Sequence, residues 1–243
     1  MVQLHLANLG GSTRTTIHCK TCQMHYNKID PNDQKLHKTH HDAMLSGPQF
    51  NFPISTIAIR PLPSSPLSKK GDLLVISRTS TRELQKRALA LLDMIDTAIG
   101  APPNPARVNK FFVTDGKVYI VVCSRRIVSI VAAERLAYAR RRIPQPATTE
   151  GVETSRTERE KAVIGISRMW TCVSQRGLGI CLALLDECAA RFVLGVDYRS
   201  NVAAEGNGER PMRDYVAFST PSESGMAVAR KWTGKEDFLV YDD

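Results

Sequence analysis

Apolar residues recur at helical spacing through Leu84, Ala88, Leu91, Leu92, Ile95 and Ile99, which predicts an amphipathic helix. Ser80-x-x-Glu83 ahead of it reads as a capping box, and Gly100 with Pro102 and Pro103 ends it. Shorter apolar runs predict strands over residues 72–77, 110–114, 117–123 and 127–133, with a weaker one over 56–60 in a proline-broken connection. Asp115-Gly116 and Ser124-Arg125-Arg126 supply turns, so this part reads as an antiparallel meander. A strand over 162–173, a loop over 174–179 and a helix from Ile180 follow, the helix carrying Leu182, Leu185, Cys188 and Ala189 at helical spacing. A strand at 215–219, a helix at 223–232 and a strand at 238–241 close the chain. Strands and helices in this order predict an α+β fold. Residues 144–161 and 201–213 are polar and poor in apolar residues, and are expected to be flexible insertions.

The first 48 residues have a different pattern. Residues 1–14 read as a flexible tail, in which Gln3-x-x-Leu6 is a fragment of a sliding-clamp-binding box. Leu9 and Gly10 stand where that box would carry its aromatic pair. Residues 15–48 contain Cys19-x-x-Cys22, then His37 and His41 four residues apart on an expected helix, so both imidazoles face one side. Two thiolates and two imidazoles suit tetrahedral Zn²⁺. His40 is one residue out of phase with that face, and His18 and His25 are expected in solvent or around the ligands. Fourteen residues separate Cys22 from His37, against about 12 in a DNA-reading finger, and a single finger covers only about 3 base pairs. A structural or partner-docking finger fits better.

Composition adds limits. The chain has 243 residues, enough for one domain of 49–243 besides the finger. A net charge of +9 suits work near chromatin or acidic surfaces. No apolar run is long enough for a membrane span, and no signal-peptide core stands at the start. The six cysteines do not pattern as a disulfide framework, which points to a reducing compartment. Arg140-Arg141-Arg142 reads as a solvated charge run, with an acidic-partner patch as the alternative.

The chemistry concentrates in the strand–loop–helix unit around residues 163–188. The first N–H groups of a helix have no partners, its dipole favours an anion there, and glycines let backbone approach closely. Arg176-Gly177-Leu178-Gly179-Ile180-Cys181 fits Arg/Gln-x-x-Gly-x-Gly/Ala and resembles the pyrophosphate loop of the GNAT acetyltransferases, which holds coenzyme A. No Lys-Ser/Thr follows the glycines, unlike a P-loop.

Four segments carry a closer resemblance. They are Cys19-Lys20-Thr21-Cys22-Gln23-Met24-His25-Tyr26, Gly165-Ile166-Ser167-Arg168-Met169-Trp170, Ala217-Phe218-Ser219 with Pro221, and Phe238-Leu239-Val240-Tyr241. Together they resemble the Eco/ESCO cohesion-establishment acetyltransferases over nearly the whole chain. The resemblance implies a GNAT fold, with a mixed, mostly antiparallel sheet and flanking helices, behind a structural zinc finger. It implies transfer of acetyl from acetyl-CoA to lysines on the ATPase head of the Smc-type cohesin subunit, in the nucleus, around DNA replication and near the sliding clamp. Self-acetylation is also implied.

The same resemblance suggests roles. Gly177, Leu178, Gly179, Ile180, Cys181 and Leu182 would hold the pyrophosphate. Backbone N–H groups of Met169, Trp170 and Thr171 would polarise the thioester carbonyl. Thr220, Pro221 and Ser222 would touch the cofactor. The substrate lysine, with a free pKa near 10.4, must lose a proton before it attacks. Asp186 is the candidate base, or else an orienting charge, and Ser167 a candidate hydrogen-bonding partner of the lysine. Thr220 stands where animal members have Asp, and its hydroxyl is no base at neutral pH. Trp232 ends the region where many GNAT enzymes place an acidic Tyr. Two alternatives stay open: a GNAT enzyme for another nuclear protein such as histones, and a non-catalytic zinc-finger chromatin-binding protein.

Overall fold

The computed structural model describes residues 15–51, 60–61, 71–101, 110–143, 155–200 and 211–242. The tail with its clamp-box fragment, most of the expected 56–60 strand, and the expected insertions over 144–154 and 201–210 lie outside the described residues.

The finger is a hairpin of β1 (Thr16–His18) and β2 (His25–Asn27) followed by α1 (Pro31–Ser46). Asp30 caps α1 by accepting from the Asn32 N–H, and Pro31 begins it where no N–H partner is needed. The main sheet has nine strands in the order β3-β4-β5-β6-β9-β10-β11-β7-β8. Its first half is an antiparallel meander: β3 (Arg60–Pro61), β4 (Gly71–Ile76), β5 (Lys117–Cys123) and β6 (Arg126–Arg135), joined to β9 (Ile164–Thr171). Its second half adds β10 (Val216–Ser219) and β11 (Leu239–Tyr241), parallel to β9, then β7 (Tyr138–Arg142) and β8 (Ser155–Lys161) antiparallel.

Among the described residues, α2 (Arg82–Ile99), α3 (Ile180–Arg191) and α4 (Glu223–Thr233) flank the sheet. Leu84, Ala88, Leu92 and Ile95 are the buried stripe of α2, as the spacing predicts. Its cap is one residue later than expected: Thr81 Oγ1 accepts from Leu84 N–H, while Ser80 Oγ accepts from Ser77 N–H in the preceding turn. Glu83 therefore pairs with Arg87 at 2.7 Å instead of closing a capping box. The core between sheet and helices includes Tyr119, Ile120, Ile130, Ile164, Leu184 and Phe218, all essentially inaccessible.

Three further expectations need correction. Residues 110–114 are not a strand: Lys110 is helical and a turn follows, in which the Val113 and Thr114 N–H groups both donate to the Lys110 carbonyl and Phe111 and Phe112 bury their rings. Residues 155–161 of the expected insertion are strand β8, whose Glu160 chelates Arg141 through two 2.7 Å bonds. Arg140–Arg142 is consequently no solvated run. It is strand β7, with Arg140 on Asp242, Arg141 on Glu160, and Arg142 donating to the Glu236 carbonyl and lying 5.9 Å from the Phe238 ring centroid.

The finger packs into the domain. Cys22 and Met44 belong to the same buried cluster as the sheet. The α1 helix rests on the 3-10 turn Val173–Gln175, directly after β9. Gly47 sits so close to β6 that an added Cβ would be 2.1 Å from the Ile127 carbonyl oxygen.

Candidate acetyl-transfer site and zinc centre

The two strands at the centre of the sheet do not stay together. The parallel ladder of β9 and β10 runs Ile164–Val216, Gly165–Ala217 and Ile166–Phe218, and ends there. Beyond it, β9 continues to Thr171 paired, among the described residues, only with β6. The β6–β9 register passes from Ala133–Ile166 to Ala132–Arg168, so Ser167 is the extra residue of a β-bulge. Ser167 is buried and its Oγ lies 3.4 Å from the Ala132 carbonyl.

Past the bulge, backbone groups alternate between the two edges of β9. The Trp170 carbonyl faces β6, where it accepts from Ser129 Oγ at 3.0 Å, and Cys172 N–H also reaches β6 at the Val128 carbonyl. The Thr171 carbonyl faces the other way and accepts from Arg176 Nε at 3.0 Å. By this alternation the open edge presents the N–H groups of Met169 and Thr171. Trp170, expected to donate there, instead turns its backbone toward β6.

The open edge leads to the glycine loop. Gly177 and Gly179 have φ of 77° and 75°, and a Cβ on either would point into space free of protein atoms. Gly179 is the N-cap of α3 and offers no side chain, so the first N–H groups of α3 have no side-chain cap. Arg176 and Leu178 are exposed at the rim, while Ile180 anchors the helix in the core. This is a cradle that a phosphate group fits. Cys181 next to it is no nucleophile, because desolvation pushes its thiol up to about 12. Leu182 is partly buried on the following turn.

Across the opening, Thr220 is exposed and its N–H donates to the Tyr241 carbonyl at 3.2 Å. Ser222 caps α4 through Gly225 N–H, and Gly225 lies against both Pro221 and the Met169 side chain. The structure thus brings Met169 and the 220–222 turn to one place. Asp186, on α3, faces the other end of α4: its Oδ1 accepts from Trp232 Nε1 at 2.9 Å, near the α4 C-terminus, and from Arg213 at 3.0 Å. Thr220 and Asp186 therefore meet opposite ends of α4, whose 11 residues rise about 16 Å. Arg213 also stacks on Trp232, 4.5 Å from its ring centroid. The Arg213 contact was not foreseen from sequence, where this residue closes a polar, glycine-rich stretch with no periodicity.

In the finger, Cys19, Cys22, His37 and His41 each bring a donor atom to within 4.8 Å of the others. Cys19 Sγ and His41 Nδ1 are 3.3 Å apart. Bonds of about 2.3 Å to sulfur and about 2.0 Å to nitrogen at tetrahedral angles place such atoms about 3.5 Å apart. His37 Nε2 is buried with no protein partner, and Tyr26 stacks on its ring at 3.9 Å. A buried orphan acceptor facing two thiols fits a zinc ion. The Cys19 thiol is held down to about 5, first by the Cys22 N–H and then by His37, which favours the thiolate a metal needs. His40 lies outside this set, with Nε2 3.4 Å from the Cys22 carbonyl. His18 and His25 stack on each other across the hairpin.

A splayed pair of parallel strands, a bulge and a glycine loop opening a helix define a GNAT-type acetyltransferase, here with a Cys₂His₂ finger built against it. The family described as ESCO1/2 acetyl-transferase matches residues 160–241, and the zinc-finger of acetyl-transferase ESCO matches residues 3–43. The chain is thus similar to the ESCO acetyltransferases in both its finger and its C-terminal segment.

N-acetyltransferase ECO1 of Yarrowia lipolytica is 28% identical over 240 residues, covering 96% of this chain and 72% of the relative. N-acetyltransferase eco of Drosophila melanogaster is 27% identical over 92% of this chain, which spans only 19% of that longer protein. Among solved structures, the xEco2 acetyltransferase domain bound to a K105–CoA conjugate matches with a TM-score of 0.61 and 22% identity, over 76% of this chain and 98% of that one. That likeness concerns the fold. Among the described residues no helix is long and apolar enough to cross a membrane.

Proposed function

We propose that the chain transfers acetyl from acetyl-CoA to lysines on the Smc-type ATPase head of cohesin, establishing sister-chromatid cohesion in the nucleus during DNA replication. The observation that carries the transfer reading is the open edge of β9 running into an uncapped α3 N-terminus. The specific substrate rests on the ESCO family match, and the net charge of +9 suits an acidic, chromosomal setting. A role for the sliding clamp as a recruiting partner rests on the same family reading.

Acetyl-CoA, when bound, supplies the acetyl group as an activated thioester. N–H groups from Gly177 to Leu182 hold its pyrophosphate, aided by the helix dipole. Met169 and Thr171 N–H groups stabilise the carbonyl oxygen as it gains charge. Pro221 and Ser222, with Thr220, wall the opposite side. The neutral lysine amine attacks, the N–C bond forms, the C–S bond breaks, and coenzyme A leaves as a thiolate that takes up the proton lost by the new amide nitrogen. Asp186, at the far end of α4 with Oδ1 engaged by Trp232 and Arg213, receives the lysine proton on Oδ2 through intervening water. Ser167 accepts a hydrogen bond from the amine and keeps it oriented.

Incubation with acetyl-CoA and either cohesin Smc heads or nucleosomal histones, followed by mass spectrometry, tests this. Acetylation of the Smc head at a kcat/KM at least about tenfold above histones is expected. Equal modification of both would leave a GNAT enzyme of broader range, and no transfer to either would sink the enzymatic reading.

A further inference from the structure

Arg168 is a cation in a strand whose neighbours Ile164, Ile166 and Trp170 are buried. Its Nε lies 2.5 Å from Asp96 Oδ1 on α2, and the two side chains are only 9% and 7% exposed. Desolvating two such charges costs several kcal/mol each, and an apolar pair of similar volume is often as stable or more so. Stability alone does not explain the pair.

A third contact does. Arg168 Nη1 also donates to the carbonyl of Ser167 at 2.6 Å. Ser167 is the residue that the β6–β9 register skips. One guanidinium therefore grips the bulge from one side and a carboxylate on a rigid helix from the other. Asp96 follows fully buried Leu92 and Ile95, and its own carbonyl receives the Gly100 and Ala101 N–H groups that end α2. Arginine suits this work, because its planar fork spans two acceptors at fixed angles, whereas a lysine ammonium is a single flexible point charge. The strand's alternation puts Arg168 on the face toward α2, while the Thr171 hydroxyl meets Cys181 of α3 on the other face.

We propose that Arg168 and Asp96 are positioning residues for acetyl transfer: the pair fixes the bulge at Ser167 so that the Met169 and Thr171 N–H groups stand at the acyl edge. A bulge sets the direction of the strand that leaves it. An error of about 1 Å in such a donor is worth about a hundredfold in rate. Neither residue touches substrate; each acts through the backbone of β9. This rests on the acetyltransferase reading above.

The deciding comparison is the double variant Asp96→Leu/Arg168→Met against the wild-type chain. It removes the charges without leaving either one buried alone. The melting temperature is expected to match or exceed wild type, and KM for acetyl-CoA to change less than about threefold, while kcat falls at least about tenfold. Wild-type kcat in a folded double variant overturns the proposal. Arg168→Lys is the gentler second variant, keeping the charge on Asp96 but losing the fork; unchanged kcat there also counts against it. Hydrogen–deuterium exchange gives an answer independent of turnover. Exchange over residues 167–171 should rise in either variant, with α2 and β6 unchanged. If it stays at wild-type level the proposal is wrong whatever the activity, and if it rises while wild type transfers no acetyl, the enzymatic reading alone has failed.

Discussion

The indole Nε1 of Trp232 donates to Oδ1 of Asp186 at 2.9 Å, tying the last full turn of α4 to the middle of α3. Arg213 donates to the same oxygen, so this carboxylate is oriented by two donors on different elements. If Asp186 is the base, Asp186→Asn should cut the single-turnover rate about a hundredfold. Trp232→Phe should cost less, about tenfold, with KM for acetyl-CoA nearly unchanged, because one orienting bond is lost and the carboxylate remains. Rapid-quench measurement across pH reads both. A full rate in Asp186→Asn would reduce the residue to a strut between two helices.

Gly179 allows a direct test of the cradle. Its φ of 75° costs an alanine about 1–2 kcal/mol, and the added methyl would stand in the space proposed for phosphate. Gly179→Ala should raise the Kd for coenzyme A at least about tenfold while lowering the melting temperature by a few degrees. Calorimetry separates the two effects. Unaltered affinity would place the pyrophosphate elsewhere.

Removing one zinc ligand should be felt beyond the finger. Cys19→Ser is expected to abolish stoichiometric zinc by elemental analysis, since three ligands hold the ion far less well than four. Because α1 rests on Val173–Gln175, affinity for coenzyme A should drop as well. Retained zinc would remove Cys19 from the ligand set.

Arg142 is predicted to matter for stability, not for partners. Its side chain covers Phe238 and caps the Glu236 carbonyl while only 9% of the residue is exposed. Arg142→Ala should destabilise by about 1–3 kcal/mol in urea unfolding. Arg140, exposed and paired with Asp242, should change stability by under about 1 kcal/mol when replaced.

The elements that sequence reveals best are those with strong periods: the α2 stripe, the β5–β6 meander, and the strand–loop–helix around Gly179. The zinc ligands are equally legible, because four donors in a short stretch need only a hairpin and one helix to converge. The misreadings have common physics. The 110–114 run has strand-like residues, yet its two phenylalanines reach the core from a turn. Residues 155–161 alternate charges without an apolar face, and only long-range pairing with β7 makes them a strand. Arg168 could have been flagged, since a lone charge inside an apolar strand requires a buried partner. That the partner is Asp96, on the buried side of a helix 72 residues earlier, is tertiary information.

The seating of the finger has a consequence for how the protein comes apart. Cys22 and Met44 share one buried cluster with the sheet, Gln49 bridges to Arg126, and Arg126 reaches back to Asp42. Finger and sheet should therefore unfold in a single transition, and a chelator should melt the whole chain where it would merely loosen a tethered module. Metal supply would then set the lifetime of the entire protein, a dependence that no residue of the acetyl-transfer site reveals.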